Sequence, residues 1–266
     1  MKEIVCHTED GFQLAAQTSG PADGKPLLLL QGQANSHVWW DPVRAHFDRQ
    51  FRVVTFDYRG TGRSRGPIGK WTTAGFADDA RSVLDCLGIP RTAVYGTSMG
   101  GRIAQVLAAT AGERVTALVL ACTTPGGPHS VPQAPEVQQE LRAAGPEQRH
   151  EILRELFFSP SHVRGPEDSL VLGDDTMSAR EQAAHRRTSA GHDAWDLLPQ
   201  TTAPTLVLHG DDDRMNPTEN ATLLAERIPG ARLEITAGGR HGFFIEFAEA
   251  VNPLVSAHIS AHSHID

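Results

Sequence analysis

The chain has 266 residues, of which 39% are hydrophobic and 21% charged, with a formal net charge of -8 at pH 7. That length suits one large α/β domain, or a smaller one carrying an insertion, and the acidity excludes a basic groove for nucleic acid. Residues 1–12 carry Lys2, Glu3, Glu9 and Asp10 and no apolar run of signal-peptide length.

In chain order, segments at Met1 to Cys6 and Gln13 to Thr18 flank the turn signal Asp10-Gly11 and predict an antiparallel hairpin. Leu27 to Leu30 is continuously apolar, the pattern of a strand covered on both faces, and far shorter than the roughly 20 residues that cross a bilayer. No membrane partner is expected. A polar loop, Gln31 to Ser36, leads to a helix through Val38, Trp39, Val43 and Phe47. Arg52 to Phe56 is the next strand, ending in the glycine-rich loop Asp57 to Ser64. Phe76, Ala80, Val83, Leu84 and Leu87 form a helical stripe closed by Gly88 and Pro90. Thr92 to Tyr95 predicts a strand, the helix after it buries Met99, Ile103, Val106 and Leu107, and Ala117 to Ala121 predicts another strand. Strands separated by helices of this length imply a mainly parallel sheet, here of about eight strands.

From Thr123 to Leu198 the alternation stops. Prolines at 125, 128, 132, 135, 146, 160 and 166 punctuate short helical pieces, the clearest at Pro146 to Phe158 and Ser178 to Thr188, with no convincing strand. The reading is a helical cap, 123–198, inserted into a core formed by 1–122 and 199–266. The alternation returns with a strand at Thr205 to His209 and a helix opened by Asn216-Pro217-Thr218-Glu219, with Asn216 as its cap. The last strand is Arg232 to Thr236, followed by the loop Gly238 to Gly242, a helical region interrupted at Pro253, and a loose tail from His262 to Asp266.

Three cysteines, Cys6, Cys86 and Cys122, have no Cys-x-x-Cys spacing and form no framework of pairs, so neither a disulfide scaffold nor structural zinc is expected. A reducing cytoplasm follows as the expected compartment. No His and carboxylate spacing indicates a catalytic metal, and no cofactor is expected.

The pattern Gly-x-Ser-x-Gly occurs at Gly62 to Gly66 and at Gly96 to Gly100. The first lacks a following helix and has arginines on either side of its serine. Ser98 has the strand before it and the amphipathic helix after it that a nucleophilic serine at a sharp corner requires. A serine hydroxyl needs a base to take its proton, and that imidazole needs an acid to hold its tautomer. Among 13 histidines, His241 lies in a glycine-flanked loop directly after the last strand. The acid belongs in the loop after the Thr205 to His209 strand, where Asp211, Asp212 and Asp213 compete.

These motifs, with Asp57-x-Arg-Gly-x-Gly-x-Ser64 and Gly238-Gly-x-His241, resemble those of the α/β-hydrolase superfamily over essentially the whole chain. The likeness is greatest to small bacterial esterases, enol-lactonases and cofactor-free haloperoxidases. The resemblance implies a triad of Ser98, Asp213 and His241, and an oxyanion hole from the backbone N–H groups of Gln33 and Met99. Relatives usually carry His-Gly where this chain has Gln31-Gly32-Gln33. The activity implied is hydrolysis of a carboxylic ester or lactone of a small organic substrate through an acyl-enzyme. Perhydrolysis, carbon–carbon cleavage and a ligand-binding receptor use the same framework. Gln31, Trp39, Phe157, Trp195, Met215 and Phe243 are candidates to line the substrate pocket.

Overall fold

The apolar run Leu27 to Leu30 serves both faces of one sheet. Alternation along a strand sends successive side chains to opposite sides; Leu28 and Leu30 enter one buried cluster, Leu27 and Leu29 another. The computed structural model describes residues 1–262. Its strands are β1 (Lys2–His7), β2 (Gln13–Ser19), β3 (Lys25–Leu30), β4 (Phe51–Phe56), β5 (Thr92–Thr97), β6 (Val115–Ala121), β7 (Thr205–Gly210) and β8 (Arg232–Thr236). They form one eight-stranded sheet in the order β1-β2-β4-β3-β5-β6-β7-β8. The opening hairpin pairs antiparallel from Lys2 with Thr18 to His7 with Gln13, and β2 pairs antiparallel with β4. All remaining neighbours are parallel. This is the mainly parallel α/β sheet that the sequence predicts.

Helices α1 (Asp41–Phe47), α2 (Thr73–Cys86) and α3 (Met99–Thr110) follow the early strands. Phe76, Ala80, Val83 and Leu84 of α2 and Ile103 and Leu107 of α3 pack on the face carrying Leu28 and Leu30. Val43 and Phe47 of α1 cover the other face. Residues 123–198 lie in the chain between β6 and β7 and contribute α4 (Pro135–Ala143), α5 (Pro146–Phe157) and α6 (Ala179–Ala190), with one isolated antiparallel bridge between Gly126 and Asp193. α6 starts where the sequence says, because Ser178 and Glu181 form a reciprocal capping box. After β7 come α7 (Glu219–Arg227), α8 (Phe243–Glu246) and α9 (Ala248–His262).

Three expectations are corrected. Cys6 and Cys86 are joined by a disulfide, and Cys122 alone is free and buried. Cys6 is the buried residue on the inner face of β1, and α2 packs across that hairpin, so topology joins residues 80 apart that no local spacing marks. Asn216 does not cap a helix; α7 begins at Glu219, and the Asn216 amide instead donates to the Cys122 carbonyl at 2.6 Å. The break in the last helical region falls at Phe247, and Pro253 lies inside α9, held against the sheet by Val251, Val255 and Ile259. Of the tail expected to be loose, His262 ends α9 and 263–266 lie outside the described residues.

Candidate active site

The corner between β5 and α3 is a strained one. Ser98 has φ 52° and ψ -119°, a region that side-chain-bearing residues rarely adopt. The two flanking glycines make it attainable. A Cβ on Gly96 would sit 2.4 Å from the Gly100 carbonyl oxygen, and one on Gly100 would sit 2.0 Å from that of Leu30. The corner is pinned by the Ser98 N–H donating to Ala121 O at 2.9 Å and the Thr123 hydroxyl donating to Ser98 O at 2.7 Å. Ser98 itself is only half-buried, so its hydroxyl sits at an accessible edge of the sheet.

His241 meets that hydroxyl. Its Nε2 lies 3.0 Å from Ser98 Oγ and its Nδ1 lies 2.8 Å from Asp213 Oδ2. The carboxylate accepts only, so Nδ1 carries the proton and Nε2 is the acceptor for the serine O–H. The ring is held from above by α5: the His241 N–H donates to Leu156 O at 3.2 Å, and the Phe157 ring meets the imidazole edge to face at 5.0 Å.

The three aspartates are separated by their contacts. Asp211 accepts the Gly238 N–H at 2.6 Å, Asp212 pairs with Arg240 at 2.8 Å, and both are exposed. Asp213 is buried, with Oδ1 accepting the N–H groups of Met215 and Asn216 at 2.8 and 3.0 Å. Burial pushes its carboxyl up, but the His241 charge and the hydrogen bonds from His209 and His241 outweigh this and hold it well below the usual carboxylate range.

His209 is the residue that the sequence reading passed over. It follows the apolar run Leu206 to Leu208 of β7, fully buried, with Nε2 donating to Asn216 O at 2.8 Å and lying 3.2 Å from Asp213 Oδ2. Two imidazoles therefore share one carboxylate oxygen. A polar residue at an inward position of a buried strand was the available signal.

The other candidates divide. Gln31 is buried and braces its loop, its side chain donating from Nε2 to Phe56 O at 2.8 Å while its main-chain carbonyl accepts the Tyr58 hydroxyl at 3.1 Å. Trp39 is buried, its Nε1 donating to Thr97 Oγ1 at 2.9 Å and its ring stacked on Phe244. Phe243 is fully buried beside Phe244. Met215 is half-buried and bridges the main core to a small cluster of Val137, Ile152 and Leu156 from α4 and α5. Trp195 stacks on His129 at 4.4 Å and lies under Arg227 of α7. Met99 opens α3, so its N–H has no acceptor within the helix. Gln33 is half-buried in the facing loop, next to Ala34 at φ 57°. The first Gly-x-Ser-x-Gly copy, at Gly62 to Gly66, is structural, with buried Ser64 accepting the Ala15 N–H through Oγ at 2.9 Å.

Among the described residues, no group of three or more His, Cys, Asp or Glu side chains is gathered to hold a metal ion. No described helix is long and apolar enough to cross a membrane.

The order of strands, the strained serine and its two partners define a class, and comparison agrees. Residues 25–248 match the model of the alpha/beta hydrolase fold. The chain belongs to that family. It is 33% identical over 246 residues to the poly(3-hydroxyalkanoate) depolymerase of Ectopseudomonas oleovorans, covering 86% of this chain and 82% of that one. It is 30% identical over 249 residues to a putative non-heme chloroperoxidase of Synechocystis sp., covering 87% and 90%. Among solved structures, a thermophilic esterase from Thermogutta terrifontis superposes with a TM-score of 0.81 at 26% identity, covering 99% of this chain and all of that one (100%).

Proposed function

We propose that this protein is a serine hydrolase that cleaves a carboxylic ester or lactone of a small organic substrate through an acyl-enzyme. The observation that carries this reading is the continuous chain from Ser98 Oγ through His241 to buried Asp213, at 3.0 and 2.8 Å. Ser98 Oγ attacks the carbonyl carbon as its proton passes to His241 Nε2. The carbonyl oxygen becomes an oxyanion held by the N–H groups of Met99 and Gln33. The C–O bond to the leaving group then breaks, and the leaving oxygen takes the proton from His241. Water repeats the sequence on the acyl-enzyme, with His241 again as base, and frees the acid and Ser98. Asp213 stabilises the imidazolium at each stage.

Residues 123–198 act in this reading as a cap over the site, since α5 touches His241 through Leu156 and Phe157. In the same reading Phe157, whose ring meets His241, and Met215, packed on the cluster that holds Leu156, are assigned to the substrate pocket. The compartment we assign is the cytoplasm, where the Cys6–Cys86 pair would be kept reduced.

The test is turnover of a small activated ester such as 4-nitrophenyl acetate. Ser98→Ala is expected to lower kcat by a factor of about 10³ or more. A serine-reactive phosphonate should label Ser98 and no other residue. Unchanged turnover in Ser98→Ala, or label elsewhere, overturns the reading.

A further inference from the structure

One turn beyond Ser98, α3 carries a cation with no counter-ion. Arg102 stands among the first residues of that helix, near the end whose free N–H groups repel positive charge. It is partly buried, and its backbone N–H donates to Ser98 O. Its side chain makes two polar contacts, both to neutral acceptors. Nη1 donates to Ser189 O at the end of α6 at 2.7 Å, and Nη2 donates to Asn216 Oδ1 at 3.3 Å. Nε is buried with no partner at all. Among the described residues no carboxylate lies within ion-pairing distance of Arg102, whereas Arg59, partly buried on the same molecule, takes both Asp10 and Asp79. Burial pushes the Arg102 guanidinium down to about 10, so it stays charged at neutral pH.

Each of these features disfavours a cation in the free protein: desolvation, the helix end and an unmet N–H. All three are relieved by an anion. The surroundings say where that anion comes from. Asn216, which receives Nη2, also donates its N–H to Asp213, so the guanidinium lies beside the loop that holds the triad acid. Side chains on a helix lean toward its N-terminus, which here is Ser98. Ser98 and Arg102 are separated by about 6 Å along the axis, the span of a short aliphatic linker.

We propose that Arg102 is the anion-binding part of the Ser98 site, and that the substrate is an ester or lactone bearing a free carboxylate a few bonds from the carbonyl under attack. This rests on the hydrolase reading above. Of the five N–H groups of the guanidinium, two are engaged and Nε–H has no partner, so donors remain for a carboxylate.

The test compares mono-4-nitrophenyl glutarate, which is anionic, with its neutral methyl ester. The wild-type ratio of kcat/KM for anionic over neutral ester is expected to exceed unity by about ten- to hundred-fold. Arg102→Gln should collapse that ratio toward one, and Arg102→Lys, which keeps the charge but not the planar fork, should retain part of it. An equal ratio in wild type and Arg102→Gln overturns the proposal. So does an equal loss in both variants, which would mean that Arg102 merely ties Ser189 to Asn216. Calorimetric titration of monomethyl glutarate into Ser98→Ala, with and without Arg102→Gln, reads the same subsite without catalysis. About ten-fold weaker binding in the double variant supports it, and identical binding overturns it. If wild type hydrolyses neither ester, the hydrolase reading fails while this titration still decides on Arg102.

Discussion

At the scale of single residues, the site turns on how Asp213 is held. Two backbone N–H groups fix one of its oxygens and two imidazoles share the other. Asp213→Asn would present an amide N–H or a weaker acceptor to His241 Nδ1 and so favour the wrong tautomer. We expect a fall in kcat of about 10³- to 10⁴-fold with KM little changed, measured on 4-nitrophenyl acetate. His209→Leu removes only the second imidazole. It should cost activity by about ten-fold, because Asp213 keeps its two backbone donors and His241 and loses one of four supports for its charge. Ser98 and His241 were legible in the sequence because each sits in a glycine-marked turn. Position alone did not choose among Asp211, Asp212 and Asp213, since the choice depends on which one the loop turns inward. His209 stayed hidden for a similar reason: its partner is set by the return of the chain at Asn216, not by a local pattern.

At the scale of elements, the core strands and helices were legible because hydrophobic period and glycine or proline stops agree there. In the 123–198 segment the helices at 146–157 and 179–190 were legible from their proline and capping signals, whereas the attachments of the segment to the core were not, because they are long-range. Two buried histidines make those attachments. His185 of α6 donates from Nε2 to Arg59 O at 2.8 Å and accepts the Ala34 N–H on Nδ1 at 3.2 Å. His192 accepts the Thr73 hydroxyl on Nδ1 at 3.0 Å and faces Gln105 Oε1 across 3.4 Å. Burial pushes His185 from its ordinary 6.5 to about 4 and His192 to about 3. Both are neutral in the folded state, and protonation would turn each accepting nitrogen into a donor facing a donor. Because the unfolded chain binds these protons first, stability is complete above about pH 6.5 and falls as pH drops toward 4. For His185 the loss across that window is about 3 kcal/mol. Thermal melts between pH 7.5 and 5 should show a falling midpoint in the wild type and a shallower slope in His185→Gln. A slope unchanged by that substitution would remove His185 from the account.

At the scale of the whole molecule, the disulfide is the feature that composition alone misjudged. A count of three cysteines reads as no framework, yet the sheet order brings β1 beside α2 and leaves Cys122 as the odd one. Cys6 and Cys86 close a loop with a sequence separation of 80. In the chain-entropy view, a loop of that size restricts the unfolded state by about 4.5 kcal/mol. Oxidised protein, unfolded in denaturant and alkylated, should therefore take up label at Cys122 alone. After reduction it should take up label at all three cysteines and unfold at a lower denaturant concentration. Turnover in native conditions should survive reduction, because among the described residues the hydrogen-bond and ring partners of Ser98, Asp213 and His241 include none from β1 or the end of α2. The same alkylation, applied to cells quenched in acid, decides the compartment. Three reactive thiols place the protein in a reducing cytoplasm, where the fold must stand without the cross-link; one places it in an oxidising space, where the cross-link is part of its stability.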